Sequence, residues 1–366
     1  MLFAVTLTLA AAAAVSASPI EPRAKTAVLP LKHVVNVSSI KGIVQKGQAR
    51  IHKVNGQEKA FNKLDAGSGS VINEDVSYVA PVLIGGKTWN LIVDTGSSNT
   101  WCGAQTSCEP SSTGKSTGGS VSVSYGSGSF SGTEYKDKVS FGELTVASQS
   151  IGAAKSATGF SGVDGIIGFG PQGLIPSEVL GVSFRPESGS DTNDANGELT
   201  LGGTDSSKYS GSIQYFPTLK SGSAAPYWGI SIAGFTYGST TLSSSGSGIV
   251  DTGTTLIYIP TSAYNKFLST AGGRTDSTSG LAIFSTKPTG NFGIKFGSTT
   301  YTLTPAQYLI PTAQYTNFGL TTGKYYTWIS DGGSSGVNTI IGQKFLENYY
   351  SVYDTTNSRI GFATAI

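Results

Sequence analysis

The tripeptide Asp-Thr-Gly occurs twice, as Leu91-Ile92-Val93-Asp94-Thr95-Gly96-Ser97 and as Gly248-Ile249-Val250-Asp251-Thr252-Gly253-Thr254. In each copy apolar, β-prone residues precede the aspartate and a hydroxyl residue follows the glycine. One such tripeptide is a common accident. Two in matching frames predict a duplicated lobe, each copy contributing one carboxylate. Two aspartates facing each other across a lobe boundary cannot both ionise comfortably, so they share a proton and divide acid and base roles. The chemistry this pair points to is peptide hydrolysis through an activated water.

The duplication extends further. Val163-Asp164-Gly165-Ile166-Ile167-Gly168 follows the first aspartate, and Val337-Asn338-Thr339-Ile340-Ile341-Gly342 follows the second. Each joins two β-branched apolar residues to a glycine, the composition of a buried strand running close beside another backbone. Short alternating runs such as Val121–Tyr125, Gly197–Leu201 and Tyr301–Thr304 predict antiparallel β structure. The best helical candidates are Thr261–Ser269 and Gln343–Tyr349. A linker is expected near Pro217–Pro226, where Lys220-Ser221-Gly222-Ser223 is flexible in composition.

Charge divides the chain. Of 24 Lys and Arg and 22 Asp and Glu, residues 19–65 hold nine and three; the other 15 and 19 give the body a net charge of about −4. Ahead of that basic segment, Met1 to Ala17 is uncharged, rich in Leu, Ala and Val, and ends in small residues, the pattern of a secretory signal. A cationic leader before an anionic body suits a prosegment held electrostatically and released as carboxylates protonate, with a disordered basic linker as the plainer alternative. Leu29-Pro30-Leu31-Lys32 and Phe61-Asn62-Lys63-Leu64 offer apolar anchors for docking. Both histidines, His33 and His52, lie in the leader, so a mature form starting near Ala66 has neither a Ser-His-Asp nor a Cys-His machine, and no His-ligated zinc. The two cysteines, Cys102 and Cys108, are expected to form a small disulfide loop in a secreted chain. The acidic body has dispersed lysines and no nucleic-acid footprint, and no membrane anchor is expected. Gly126-Ser127-Gly128-Ser129-Phe130 reads as a hairpin tip rather than a phosphate loop, because no Walker lysine follows.

Four stretches together resemble the pepsin-like aspartic proteases, with wording nearest the fungal polyporopepsin-type secreted enzymes. They are Val93–Trp101, Tyr125–Gly132, Ile249–Leu256 and Tyr350–Asp354. The resemblance implies an all-β, bilobal fold with a cleft between two related lobes and few short helices. It implies a signal peptide at 1–17, a basic propeptide at 18–65, a first lobe at 66–218 and a second at 219–366. Asp94 and Asp251 become the catalytic pair of an endopeptidase acting on proteins or peptides at acid pH. Thr95 and Thr252 become interlocking threonines, Gly96 and Gly253 admit backbone amides to the carboxylates, and Ser97 and Thr254 bond their outer oxygens. Tyr125, with Gly126, Ser127, Gly128 and Ser129, matches a mobile flap, and Trp101 matches a tryptophan that hydrogen-bonds the flap tyrosine. Ile92 and Phe130 are candidates for apolar subsites. Lys59 and Lys63 are candidates for a cation inserted between the aspartates in the zymogen. No metal or cofactor is called for, the propeptide is the chain's own inhibitor, and an extracellular monomer is expected.

The chain departs from the family after Pro171. Relatives carry a longer segment there, including a helix packed on the first lobe; here Gly165–Pro171 abuts Gln172–Leu180. Such shortening would expose apolar surface and favours, as the main rival reading, a catalytically impaired scaffold. A secreted carbohydrate-binding module is a weaker rival, resting on composition and on Tyr325, Tyr326 and Trp328. The sole N-glycosylation sequon, Asn36-Val37-Ser38, falls in the leader.

Overall fold

The computed structural model describes residues 26–36, 40–56, 75–125, 128–142, 144–171, 179–187, 189–243 and 245–366. The signal at 1–17, Phe61–Leu64 with Lys59 and Lys63, the boundary at Ala66, flap residues Gly126 and Ser127, and the shortened segment at 172–178 all lie outside the described residues.

Each Asp-Thr-Gly loop is built the same way. In the first lobe the strand Lys87–Asp94 lies parallel to Gly165–Gly168, pairing Val93 with Ile167 and Asp94 with Gly168. In the second, Gly246–Val250 lies parallel to Ile340–Ile341, pairing Ile249 with Ile340 and Val250 with Ile341. The glycine ending each motif is sterically required. A Cβ on Gly168 would run into the backbone of Ser98 and Asn99, and one on Gly342 into the carbonyls of Thr254 and Leu256. The β-branched residues between are fully buried, so the paired strands form the floor beneath each loop.

The remaining strands make the lobes and join them. A thirteen-stranded sheet runs from Tyr209–Pro217 through the C-terminal strands Tyr349–Asp354 and Arg359–Ala365 and into the first lobe. It ends on the hairpins of Lys115–Ser124, Ser129–Phe141 and Leu144–Thr158. The second lobe is made of smaller sheets packed around aromatic residues, Phe267, Phe292, Phe296, Tyr301, Phe345 and Phe362 among them. The fold is thus mostly β with few short helices. The helix at Thr261–Ala271 runs slightly beyond its expected end and closes on Gly272 in the left-handed region. The helix at 343 is shorter than expected. It stops at Leu346, because Tyr349 onward is claimed by pairing with the C-terminal strand. Among the described residues the exposed large apolar side chains are Val28, Leu83 and Ile366.

The described parts of the leader are a strand and a helix. Ala27–Asn36 is a strand inside the large sheet, pairing with Gly197–Leu201 on one side and Asp75–Ile84 on the other. Its Leu29 and Leu31 are buried, and Pro30 sits within it. The helix Ile40–Val54 follows, with Ile40, Ile43, Val44, Ile51 and Val54 on its buried side. That is the i, i+3, i+4 spacing of an amphipathic helix. These residues pack with Tyr258, Leu281, Ile283, Val337 and Ile340 of the second lobe.

Candidate active site

Asp94 and Asp251 meet at the lobe boundary, 2% and 0% exposed. Their surroundings are related by a twofold pattern. Gly96 N–H donates to Asp94 Oδ1 and Gly253 N–H to Asp251 Oδ1, both at 2.9 Å. Ser97 Oγ donates to Asp94 Oδ2 at 2.5 Å, and Thr254 Oγ1 to Asp251 Oδ2 at 2.7 Å. Thr95 N–H donates to Thr252 Oγ1 at 2.9 Å, while Thr252 N–H donates to Thr95 Oγ1 at 3.0 Å. Each threonine hydroxyl then donates across the boundary, Thr95 to the carbonyl of Val250 and Thr252 to that of Val93. Four hydrogen bonds therefore tie the two loops directly to each other. The glycines permit the approach: a Cβ on Gly253 would strike the Asp94 carboxyl, and one on Gly96 the Asp251 carboxyl.

Between the carboxyls lies Arg50, from the leader helix. Its Nη2 donates to Asp94 Oδ1 at 2.5 Å and its Nε to Asp251 Oδ2 at 2.9 Å. The guanidinium is itself buried. Burial, aided by the Asp251 charge, outweighs this cation at Asp94 and holds that carboxyl above its usual range. At Asp251 burial acts in the same direction, but Arg50 and the Thr254 hydroxyl overcome it and hold the carboxyl low. One proton on the pair and one positive charge on Arg50 leave the buried triad neutral, the condition under which such a group tolerates removal from water.

The expected inserting cation was Lys59 or Lys63; the residue that occupies this place is Arg50. The helical register decides this: Arg50 sits where the helix turns its side chain from the second-lobe contact surface toward the cleft. Lys53 on the same helix and Asn55 in the turn just after it reach the cleft walls. Lys53 Nζ donates to the carbonyl of Ser124 and lies 5.0 Å from the centre of the Tyr125 ring. Asn55 makes a reciprocal pair with Val337, donating from Nδ2 at 2.8 Å and accepting the Val337 N–H at 2.7 Å. The helix therefore grips the flap strand of one lobe and a loop of the other.

The flap aromatics Trp101 and Tyr125 are neighbours beside the cleft. Trp101 Nε1 and Tyr125 Oη find no hydrogen-bond partner among the described residues, with ring centres 6.4 Å apart. Tyr125 is instead held by Lys53 and by the edge of Phe160, 5.6 Å away. Ser129 begins the return strand and pairs with Ser124, and Gly128 directly precedes it. Ile92 lines the small pocket beside Asp94, together with Tyr125, Phe160, Ile166, Gly253 and Thr254. Phe130 does not; it is stacked on Trp101 at 4.2 Å on the far side, 2% exposed. Phe160 and Ile166 went unremarked as pocket residues in the sequence because neither carries a polar mark. Cys102 and Cys108 are joined as a disulfide, Cα to Cα 5.6 Å.

A bilobal β fold that brings one Asp-Thr-Gly carboxylate from each lobe to a shared cleft defines a pepsin-like aspartic peptidase. The family model described as eukaryotic aspartyl protease matches residues 77–365. The chain is 44% identical over 333 residues to polyporopepsin from Irpex lacteus, covering 82% of this chain and 97% of that protein. It is 32% identical over 390 residues to gastricsin from Cavia porcellus, covering 92% and 95%. The crystal structure of the aspartic proteinase from Irpex lacteus superposes with a TM-score of 0.76 at 36% identity, covering 93% of this chain and 98% of that one. The chain belongs to the eukaryotic aspartyl protease family and is an aspartic-type endopeptidase, with peptides or proteins as substrates.

Proposed function

We propose that the chain is the zymogen of a secreted, acid-acting endopeptidase, with a signal at 1–17, a propeptide at 18–65, and lobes at 66–218 and 219–366. Asp94 and Asp251 are its catalytic pair. The observation carrying this reading is the convergence of both carboxyls on one guanidinium, each with an equivalent set of amide and hydroxyl donors. Once Arg50 leaves, a water takes its place between the carboxyls. The ionised carboxylate removes a proton from that water as its oxygen attacks the scissile carbonyl carbon, and the protonated partner delivers its proton to the carbonyl oxygen. The resulting gem-diol collapses as the peptide nitrogen is protonated and the C–N bond breaks, returning the pair to one shared proton. No acyl-enzyme forms. Tyr125, Gly126, Ser127, Gly128 and Ser129 act as a flap that closes over an extended peptide.

Activity belongs to acid pH for two linked reasons. The pair needs one proton, and the leader is held by ion pairs to carboxylates that acid neutralises. The assay is hydrolysis of denatured haemoglobin by acid-treated protein, from acid to neutral pH, with and without pepstatin. Pepstatin-sensitive cleavage confined to acid pH, and absent from Asp94→Asn and Asp251→Asn, is expected. A folded, soluble protein without cleavage would establish instead the impaired scaffold that shortening after Pro171 allows.

A further inference from the structure

The two Asp-Thr-Gly loops are alike in their carboxyl contacts but are braced differently from below. In the second lobe the residue after Ile340-Ile341-Gly342 is Gln343. Its N–H donates to the carbonyl of Thr254 at 2.8 Å, and its buried side-chain amide donates to the carbonyl of Thr252 at 2.8 Å. The second loop is thus fastened by a side chain of its own lobe. In the first lobe the matching residue, after Ile166-Ile167-Gly168, is Phe169. Its N–H donates to the carbonyl of Asp94 at 2.8 Å, and Gly170 N–H to that of Ser97 at 2.7 Å. A phenylalanine side chain cannot make the second bond that Gln343 makes.

The missing brace comes from across the boundary. Trp228, in the second lobe and 1% exposed, donates its indole N–H to the carbonyl of Phe169 at 2.7 Å. Its own carbonyl accepts the N–H of Val250, the residue before Asp251, at 3.0 Å. The ring is fixed edge-on against buried Tyr353, 5.2 Å between centres. One rigid residue therefore touches the Phe169–Gly170 peptide, whose N–H holds the carbonyl of Ser97 in the first loop, and the N–H of Val250, the residue before Asp251. We propose that Trp228 is a positioning residue for the dyad, setting the spacing of the two carboxyls from beneath while Thr95 and Thr252 set it from the sides.

This inference rests on the reading of Asp94 and Asp251 as the catalytic pair. Its consequence is specific. The separation of the pair's two apparent pKa values depends on how closely the carboxyls are held, and those values set the two limbs of the pH–rate profile. Loss of the indole N–H lets the first loop relax, weakens the coupling, and moves the limbs toward each other.

The test uses the acid-activated full chain carrying Trp228→Phe, which keeps a buried aromatic ring without the donor. We expect kcat to fall about tenfold, because the carboxyls are held less closely to their reacting geometry, with KM nearly unchanged and a narrower pH profile. A residue with only a structural role would lower the melting temperature and leave kcat per active site and both limbs in place; that result overturns the proposal. If the Phe variant does not fold, benzothienylalanine at position 228 keeps the bicyclic shape and lacks the N–H. The same narrowing is then expected, and an unchanged profile is equally fatal. Wild-type protein without pepstatin-sensitive activity would sink the dyad reading itself, whereas an active wild type with an unaffected variant sinks only the role of Trp228.

Discussion

Glycine 253 and glycine 96 show how a single atom governs this site. Each sits where a Cβ would press on the carboxyl of the opposite loop, so the dyad's closeness is written into two missing side chains. Gly253→Ala is expected to cut kcat by about a hundredfold or more, because displacing a reacting carboxyl by roughly 1 Å is enough to do so. A melting curve close to wild type would accompany it, since the cleft can open slightly without unfolding either lobe. Away from the cleft, Asp354 titrates to a different end. Burial alone would raise it, but donors from Asn357 and the Arg359 guanidinium at 2.7 Å hold it below the usual range. A carboxyl depressed in the folded state contributes stability above its unfolded value of about 4, and that contribution disappears as pH falls through the folded value. Asp354→Asn should therefore lower the melting temperature at about pH 6 and cost progressively less as pH falls through the folded value, which calorimetry across the acid range checks.

Among the elements, the leader helix carries the regulation in the zymogen reading proposed above. Gly47 faces the ring of Tyr258 so closely that any side chain there must displace one of them, and the Tyr258 hydroxyl donates to the carbonyl of Val44 at 2.8 Å. Gly47→Leu is the informative change because leucine favours helix more than glycine does. A weakened grip could then be laid only to the lost fit. We expect the activity of the unprocessed chain at about pH 5.5, without an acid pulse, to rise at least about tenfold, the equivalent of about 1.4 kcal/mol of lost binding. The reach of the sequence is clearest here. The two Asp-Thr-Gly frames and their partner strands are local patterns, and each is legible because a β-branched pair and a glycine have few other uses. Leu29 and Leu31 as anchors were legible too. The helix Ile40–Val54 had its apolar spacing in plain view, but two glycines and four cations masked it. Choosing Arg50 from nine leader cations required the helical register and the position of the docking surface, neither of which a charge count contains. The brace from Trp228 to Phe169 spans 59 positions and involves a carbonyl, so no side-chain pattern announces it.

At the scale of the whole molecule, the leader is continuous with the enzyme. Its strand fills a place in the sheet between Gly197–Leu201 and Asp75–Ile84, and its helix sets Arg50 against both carboxyls, so in the proposed zymogen one segment supports the fold and blocks the site. Release must therefore separate these two duties, letting the helix go while the sheet survives. The ion pairs at the cleft are what acid can change. The most direct measurement is peptide-bond hydrolysis by purified full-length chain at about pH 5.5, before and after a brief acid pulse, for wild type and Arg50→Gln. The account predicts an inert wild type that becomes active, and pepstatin-sensitive, only after the pulse, while the Arg50→Gln chain cuts without it. Equal activity of the two untreated chains would contradict the claim that Arg50 holds the dyad shut.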